Sequence, residues 1–103
     1  MFRPEGIHTY YVYIITNKNK TVLYTGFTNN LKRRLQEHMN PLSSKGSFTT
    51  RYNVHYLLYF ERFGWADEAI AREKEIKGWL RIKKEKLIND FNPNWAFLNK
   101  EFE

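Results

Sequence analysis

The sequence predicts an α+β fold, because three runs of β-branched and aromatic residues are separated and followed by helical patterns. The first run, Tyr10–Thr16, is joined to a second at residues 21–25 by the polar turn NKNK, and so short a connection indicates an antiparallel hairpin. A third run covers residues 54–61. A chain of 103 residues fits a single domain, here 1–103 with a core from about residue 8 to 95.

Side-chain alternation along the first strand places Tyr11, Tyr13 and Ile15 on one face of the sheet. Gly26 follows the second run. We predict that Gly26 ends this strand, because the backbone there must bend or lie close to another group.

The helical segments are also bounded by local signals. Thr28 or Asn29 can cap a helix over Leu31–Met39, which Pro41 stops, and residues 41–53 read as a loop. After Gly64 the pattern predicts a helix capped by Asp67 that runs to about residue 80, and then a short helix over 83–89. Three apolar residues beyond these helices are expected to pack back on the body: Trp95, Phe97 and Leu98.

Charge and composition narrow the classes of function. Lys and Arg number 17 against 11 Asp and Glu, so the net charge is +6 and nucleic acid is the first expected partner. A solvated basic surface that binds nothing specific remains the alternative. The absence of cysteine excludes disulfides and cysteine-zinc sites, and without a leader pattern or a membrane-length apolar run we expect a soluble cytoplasmic protein.

A single carboxylate interrupts the apolar stripe of the helix that follows Asp67. At roughly 100° per residue, Glu73 lies in the middle of that stripe, which is formed by Ala66, Ala69, Ile70, Ile76 and Leu80. A carboxylate in such a place needs a counter-charge. Either Glu73 forms an ion pair with Lys77 at the edge of the core, or it binds a hard cation such as Mg²⁺.

The first helix carries a second unusual pair. His38 shares a face with the helix leucines and Arg34 borders that face, whereas Arg33 points to solvent. A hydrogen-bonded histidine at a helix end and an arginine that covers core surface would explain both residues without any chemistry. Together with Tyr13 and Tyr24, however, they supply the proton relay and charge stabilisation that phosphodiester cleavage needs.

Four motifs in order resemble the GIY-YIG nuclease superfamily: YVY at residues 11–13, YTG at 24–26, NLKRRLQEH at 30–38 and EAIAREKEIKGW at 68–79. Within it the chain is most similar to the small stand-alone UPF0213 or YhbQ-like proteins. The resemblance covers residues 10 to 95. It implies a three-stranded antiparallel sheet flanked by helices, with one active site on a sheet face.

The resemblance also implies roles for five residues. Tyr13 would accept a proton from the attacking water, and Tyr24 would orient water or phosphate. Arg34 would stabilise phosphate charge, His38 would be auxiliary, and Glu73 would bind one divalent metal ion, Mg²⁺ or Mn²⁺. Two positions depart from the family motifs, because Tyr11 replaces the opening glycine and Thr25 replaces an isoleucine.

The expected function is therefore a metal-dependent DNA endonuclease acting on branched, nicked or single-stranded DNA in repair or recombination, as a monomer. The alternatives are a non-catalytic nucleic-acid-binding module on the same fold and, more weakly, an interaction protein with exposed aromatics. Six basic residues are the candidates for phosphate contacts: Lys32, Arg33, Lys45, Arg51, Arg72 and Lys77.

Overall fold

The computed structural model describes residues 9–40, 42 and 48–103 of the chain. The elements follow in the order β1 (Tyr10–Thr16), β2 (Leu23–Thr28), α1 (Leu31–Met39), α2 (Phe48–Arg51), β3 (Tyr56–Phe63), α3 (Ala66–Lys77), α4 (Arg81–Phe91) and a final 3-10 turn (Asn99–Phe102). The three strands form one antiparallel sheet in the order β2-β1-β3. The predicted α+β fold is confirmed.

Strand β1 lies in the centre of the sheet and sets the register of both neighbours. Tyr13 is paired with Gly26 of β2 on one side and with Phe60 of β3 on the other. The pairing with β3 shifts between Ile14 and Ile15. The central position of β1 explains why its run of residues is buried nearly without interruption.

The sheet separates two hydrophobic cores. On one face Val12 and Ile14 pack with Ala69, Ile76 and Ile88 from α3 and α4. On the other face Tyr13 and Ile15 pack with apolar residues of α1, of the chain leading into β3 and of β3 itself: Leu31, Leu35, Val54 and Leu57. The alternation predicted for β1 is confirmed, and it places Tyr13 on the α1 side.

Helix α1 has the predicted bounds but a different cap. Asn30, not Thr28 or Asn29, accepts a hydrogen bond on its side-chain oxygen from the backbone N of Arg33 at 3.0 Å. Thr28 is the last residue of β2, and its hydroxyl oxygen accepts from the Asn30 backbone N at 3.1 Å. Thr28 cannot cap the helix because it is still paired with β1 as part of the strand. The strand is therefore followed almost at once by the helix cap, Asn30.

Several predicted bounds are corrected because tertiary pairing, not local pattern, decides them. β2 continues through Gly26 to Thr28, since both residues pair with β1. α3 begins at Ala66 with no side-chain cap, and Asp67 lies in its first turn. α3 ends at Lys77, so Leu80 precedes α4 and is 78% exposed rather than part of an apolar stripe. Helix α2 forms within the predicted loop, and α4 is longer than the predicted 83–89.

The C-terminal segment packs back on the body, as predicted, and covers the start of β3 at its outer edge. The backbone N of Leu98 donates to Leu57 O at 2.8 Å. The Asn99 side chain accepts from Leu57 N at 2.8 Å and donates to His55 O at 2.9 Å. Trp95 packs on one core and Leu98 on the other. These bonds satisfy the first backbone groups of an edge strand, which could otherwise pair with another chain.

No helix within the described ranges combines the length and the apolar character needed to cross a membrane.

Candidate active site

The ring of Tyr13 lies across the backbone of Gly26. A β-carbon built on Gly26 would stand 2.9 Å from Cε1 of Tyr13 and closer still to its Cζ and hydroxyl oxygen. No side chain larger than hydrogen fits there without moving the ring. Gly26 was predicted to end its strand, because the backbone there must bend or lie close to another group. The strand instead continues to Thr28, but the backbone of Gly26 does lie close to another group, the Tyr13 ring.

A hydrogen-bonded series of side chains starts at the Tyr13 hydroxyl, which lies 2.8 Å from Nε2 of His38. The other ring nitrogen of His38, Nδ1, lies 2.8 Å from the hydroxyl oxygen of Thr49. All three side chains are buried. The series joins β1, α1 and α2, and it fixes the imidazole at both of its nitrogens.

Burial keeps the two ring groups of this series neutral. It raises the pKa of Tyr13 to about 12, an effect opposed by the Arg34 guanidinium and increased by Tyr24 and Glu73. It lowers the pKa of His38 to about 4, and the positive charge of Arg34 adds to that effect. At neutral pH the Tyr13 phenol keeps its proton and can donate it to Nε2, which leaves the imidazole proton on Nδ1 facing Thr49.

Arg34 lies at the rim of this buried series. Burial would lower its pKa, but hydrogen bonding to Tyr13 and to Glu37 outweighs burial, and the guanidinium stays charged. Its Nη1 is 3.1 Å from Oε1 of Glu37, one turn further along α1. The cation is half-buried beside the phenol, where it can meet a negatively charged substrate group.

Tyr24 completes the cluster on β2. Its ring centroid lies 5.6 Å from that of His38 with the planes at 68°, an edge-to-face contact. Tyr24 also contacts Phe48 of α2, at a centroid distance of 6.4 Å. Tyr24 therefore lies between the buried series and the aromatic surface of α2.

Glu73 reaches the same region from α3. Its side chain is only 18% exposed, and Oε2 lies 3.3 Å from Nζ of Lys77, which is 50% exposed. Its negative charge contributes to the raised pKa of Tyr13. The ion pair considered from the sequence is therefore present, and the carboxylate is also close enough to Tyr13 to influence it.

The donor set fits only a weakly held cation. Within the described residues no three His, Cys, Asp or Glu side chains converge on a common point. Glu73 is a largely buried carboxylate with one exposed lysine as counter-ion. Such a residue suits Mg²⁺ or Mn²⁺, which retain several waters and take further oxygens from a substrate phosphate.

The two residues that depart from the family motifs, Tyr11 and Thr25, differ in the contacts that they make. Tyr11 packs edge-to-face on Phe102 of the C-terminal turn at 5.8 Å, and the Arg62 guanidinium lies over its ring. It contributes packing at the sheet face beside Tyr13. Thr25 is buried, and the described residues supply no hydrogen-bond partner for its hydroxyl; nothing in the structure explains that choice.

The structure thus brings Tyr13, Tyr24, Arg34 and His38 together, with Glu73 in electrostatic reach. Thr49 was not identified from the sequence as part of the cluster. No local pattern could have identified it, because α2 forms inside a segment that reads as a loop and only tertiary packing carries Thr49 to the imidazole.

The six basic residues predicted to contact phosphate differ in how exposed they are and in whether they form ion pairs within the protein. Lys32, Arg33 and Arg51 are exposed, and Lys45 lies outside the described residues. Arg72 is held instead by Glu61 at 2.9 Å and Glu75 at 2.7 Å, with its guanidinium over the Trp79 ring. Lys77 pairs with Glu73. Arg72 is therefore part of a structural ion-pair network and is poorly available to DNA.

Similarity to known proteins covers most of the chain. The GIY-YIG catalytic domain matches residues 9–86. A UPF0213 protein of Natronomonas pharaonis is 40% identical over 82 residues, which is 79% of this chain and 92% of that protein. One of Clostridium perfringens is 42% identical over 79 residues, 77% and 82% of the two chains. The solution NMR structure of a UPF0213 protein from Bacillus halodurans has a TM-score of 0.53 and 32% identity, covering 84% of this chain and 89% of that one.

Proposed function

Because this chain belongs to the GIY-YIG family, within its group of small UPF0213 proteins, we propose that it is an endonuclease that hydrolyses phosphodiester bonds in DNA with one divalent metal ion, in repair or recombination. The observation that carries the proposal is the hydrogen bond of 2.8 Å between Tyr13 and His38, formed beside the Arg34 cation. A buried phenol, a neutral imidazole and a guanidinium are the groups that water activation at a phosphate requires.

The Tyr13–His38 pair can remove a proton from the attacking water. Tyr13 has a pKa of about 12 and is not a phenolate at neutral pH. It can accept the water proton on its oxygen only as its own proton moves to Nε2 of His38, which is neutral. The water oxygen then forms a bond to phosphorus, and the bond from phosphorus to the leaving oxygen breaks. The leaving oxygen keeps the bonding electron pair and takes a proton from solvent, and the His38 imidazolium gives its extra proton back to solvent.

A bound phosphate would assist that transfer. The positive charge of Arg34 helps to keep the pKa of His38 low. A phosphate on Arg34 offsets this charge and therefore makes His38 a better proton acceptor when substrate is present. Arg34 in turn stabilises the negative charge that develops on the phosphate oxygens.

Glu73 is the residue that would hold the metal ion, with water and phosphate oxygens as the other ligands. When bound, Mg²⁺ or Mn²⁺ supplies further charge relief at the phosphate and at the leaving oxygen. The net charge of +6 supports a polyanionic substrate.

A cleavage assay with paired variants tests the proposal. Labelled linear and branched DNA would be incubated with the protein and Mg²⁺ or Mn²⁺, using the parent chain, Glu73→Gln and Glu75→Gln. Glu75 lies on the same helix but is exposed and pairs with Arg72. We expect cleavage by the parent and by Glu75→Gln, and a loss of about 100-fold or more in Glu73→Gln, because a metal contributes several kcal/mol. Equal cleavage by all three, or by none, contradicts the proposal.

One observation favours the second candidate, a non-catalytic nucleic-acid-binding module. Lys77 already supplies a counter-charge to Glu73 at 3.3 Å, so the carboxylate has an ionic partner without metal. In that case the protein would bind DNA with an affinity that falls as salt rises. It would cleave no substrate at any concentration of Mn²⁺.

A further inference from the structure

Two aromatic side chains on the α2 segment are exposed next to the candidate active site. Phe48 begins α2 and is 45% exposed, and Tyr52 follows its last residue and is 53% exposed. Their ring centroids are 5.0 Å apart and their planes differ by 51°. At that tilt the two rings do not stack on each other, and about half of each residue's surface is exposed, so a third planar group can contact them.

These rings are continuous with the buried cluster. Tyr24 contacts His38 on one side at 5.6 Å and Phe48 on the other at 6.4 Å. We call Tyr24, Phe48 and Tyr52 the aromatic step. It leads from the Tyr13–His38 hydrogen bond to solvent over three successive ring contacts.

The α2 segment also carries one exposed cation, Arg51. It lies between Phe48 and Tyr52 in the sequence. The whole chain carries a net charge of +6. An apolar peptide would gain from the rings but not from the charge, whereas a nucleic acid has both phosphates for the arginine and planar bases for the rings.

We propose that the aromatic step binds unpaired nucleobases beside the cleaved phosphate, so that the substrate is single-stranded DNA or a junction with an unpaired strand. This inference rests on the proposed nuclease function. In a duplex the faces of the bases are stacked on their neighbours and are closed to a protein ring. In a single strand every base has a free face, and stacking on aromatic side chains binds it with little regard to sequence.

Binding in EDTA tests the proposal separately from cleavage. The anisotropy of a labelled oligothymidylate would be compared with that of a duplex of equal length, for the parent chain, Phe48→Ala and Tyr52→Ala. We expect each variant to weaken single-strand binding by about fivefold or more, the effect of losing one base–ring stack. Duplex binding should change by less than about twofold, because the phosphate contacts are kept.

Three further variants test whether a loss of single-strand binding is specific to the rings of the aromatic step. Tyr52→Phe keeps the ring and should bind as the parent does, while Tyr52→Leu keeps apolar surface without a planar face and should resemble Tyr52→Ala. Phe97→Ala removes an exposed ring that stacks on Tyr56 and lies under the Lys20 ammonium rather than beside the aromatic step, and should leave binding unchanged. The proposal is overturned if the Ala variants bind single strands as the parent does, if they weaken duplex binding equally, or if Phe97→Ala has the same effect.

Cleavage results distinguish this inference from the function on which it rests. If Phe48→Ala and Tyr52→Ala bind single strands normally while the parent still cuts DNA, the aromatic step is not a base-binding site although the nuclease function stands. If the parent prefers single strands through these rings but cuts nothing with Mn²⁺, the binding site stands and the nuclease function fails.

Discussion

Tyr13 and Gly26 are cross-strand partners, and the phenol of Tyr13 occupies the space in which any β-carbon on Gly26 would lie. The glycine therefore sets the position of the hydroxyl that meets His38 at 2.8 Å. A residue without a functional group is in this way part of the geometry of the candidate active site.

Gly26→Ala is expected to displace the Tyr13 ring and to remove most cleavage activity. The added methyl overpacks a buried site, so we expect a loss of about 1–3 kcal/mol in the free energy of unfolding. The matched control is Gly64→Ala, because a β-carbon there meets nothing within 4 Å. Denaturant unfolding and the cleavage assay would be run on both, and equal behaviour of the two variants would refute the steric role of Gly26.

Thr49 is expected to act through His38. Thr49→Val keeps the shape of the side chain but removes the oxygen 2.8 Å from Nδ1 of His38. We expect a lower kcat with little change in KM, because the imidazole loses the partner that orients it, and a stability loss of about 1–3 kcal/mol from the unsatisfied nitrogen. Thr49→Ser should restore both quantities. Failure of serine to rescue would show that packing, and not the hydroxyl, explains the defect.

Acid should destabilise the fold through His38. Its pKa is about 4 in the folded protein, against an ordinary value of 6.5, because of burial and the charge of Arg34, with a smaller contribution from His55 and an opposing one from Glu37. Between these two values the unfolded chain binds the proton and the folded chain does not, so stability falls as pH falls. The linkage predicts a loss of about 2 kcal/mol between pH 7.5 and pH 5.

Urea unfolding at several pH values measures that loss, and His38→Gln provides the control. Removing the imidazole should flatten the pH dependence between pH 6.5 and pH 5. A parent curve that is already flat in this window would contradict the buried, neutral state of His38.

Lys77→Ala is expected to make the protein more dependent on metal. The substitution leaves the largely buried Glu73 carboxylate without its counter-ion, which costs stability in EDTA. Mn²⁺ should then stabilise Lys77→Ala more than it stabilises the parent, because a ligand that binds the folded state raises its melting temperature. Thermal unfolding with and without Mn²⁺ measures the difference. Identical metal-induced shifts in Lys77→Ala and in Glu73→Gln would argue against Glu73 as a ligand.

Arg51 and Arg72 should differ in their effect on DNA binding. Arg51→Ala removes an exposed cation and should lower the salt dependence of binding by about 0.9 in the slope of log K against log salt, the effect of one phosphate contact. Arg72→Ala should leave that slope unchanged and lower stability, because Arg72 is bound to Glu61 and Glu75. A salt titration together with thermal unfolding separates the two roles. A lower slope in Arg72→Ala and an unchanged slope in Arg51→Ala would show that Arg72, and not Arg51, contacts phosphate.

The order and type of most elements followed from the sequence, because β-branched runs, a short polar turn and leucine spacing are local signals. The first strand and the first helix have the predicted bounds, Tyr10–Thr16 and Leu31–Met39. The ends of the second strand and of the helix after Gly64 could not be predicted from the sequence. They depend on pairing with β1 and on packing against the sheet, which involve residues distant in the sequence.

The sequence by itself determined which chemical groups are available: two tyrosines, an arginine, a histidine and one carboxylate on the helix after Gly64. Only the tertiary structure decided how they meet. It placed the Tyr13 ring over Gly26, bonded His38 to both Tyr13 and Thr49, and committed Arg72 to Glu61. Periodicity reports which face of an element a residue occupies, whereas the distance between two faces is set by how the elements pack.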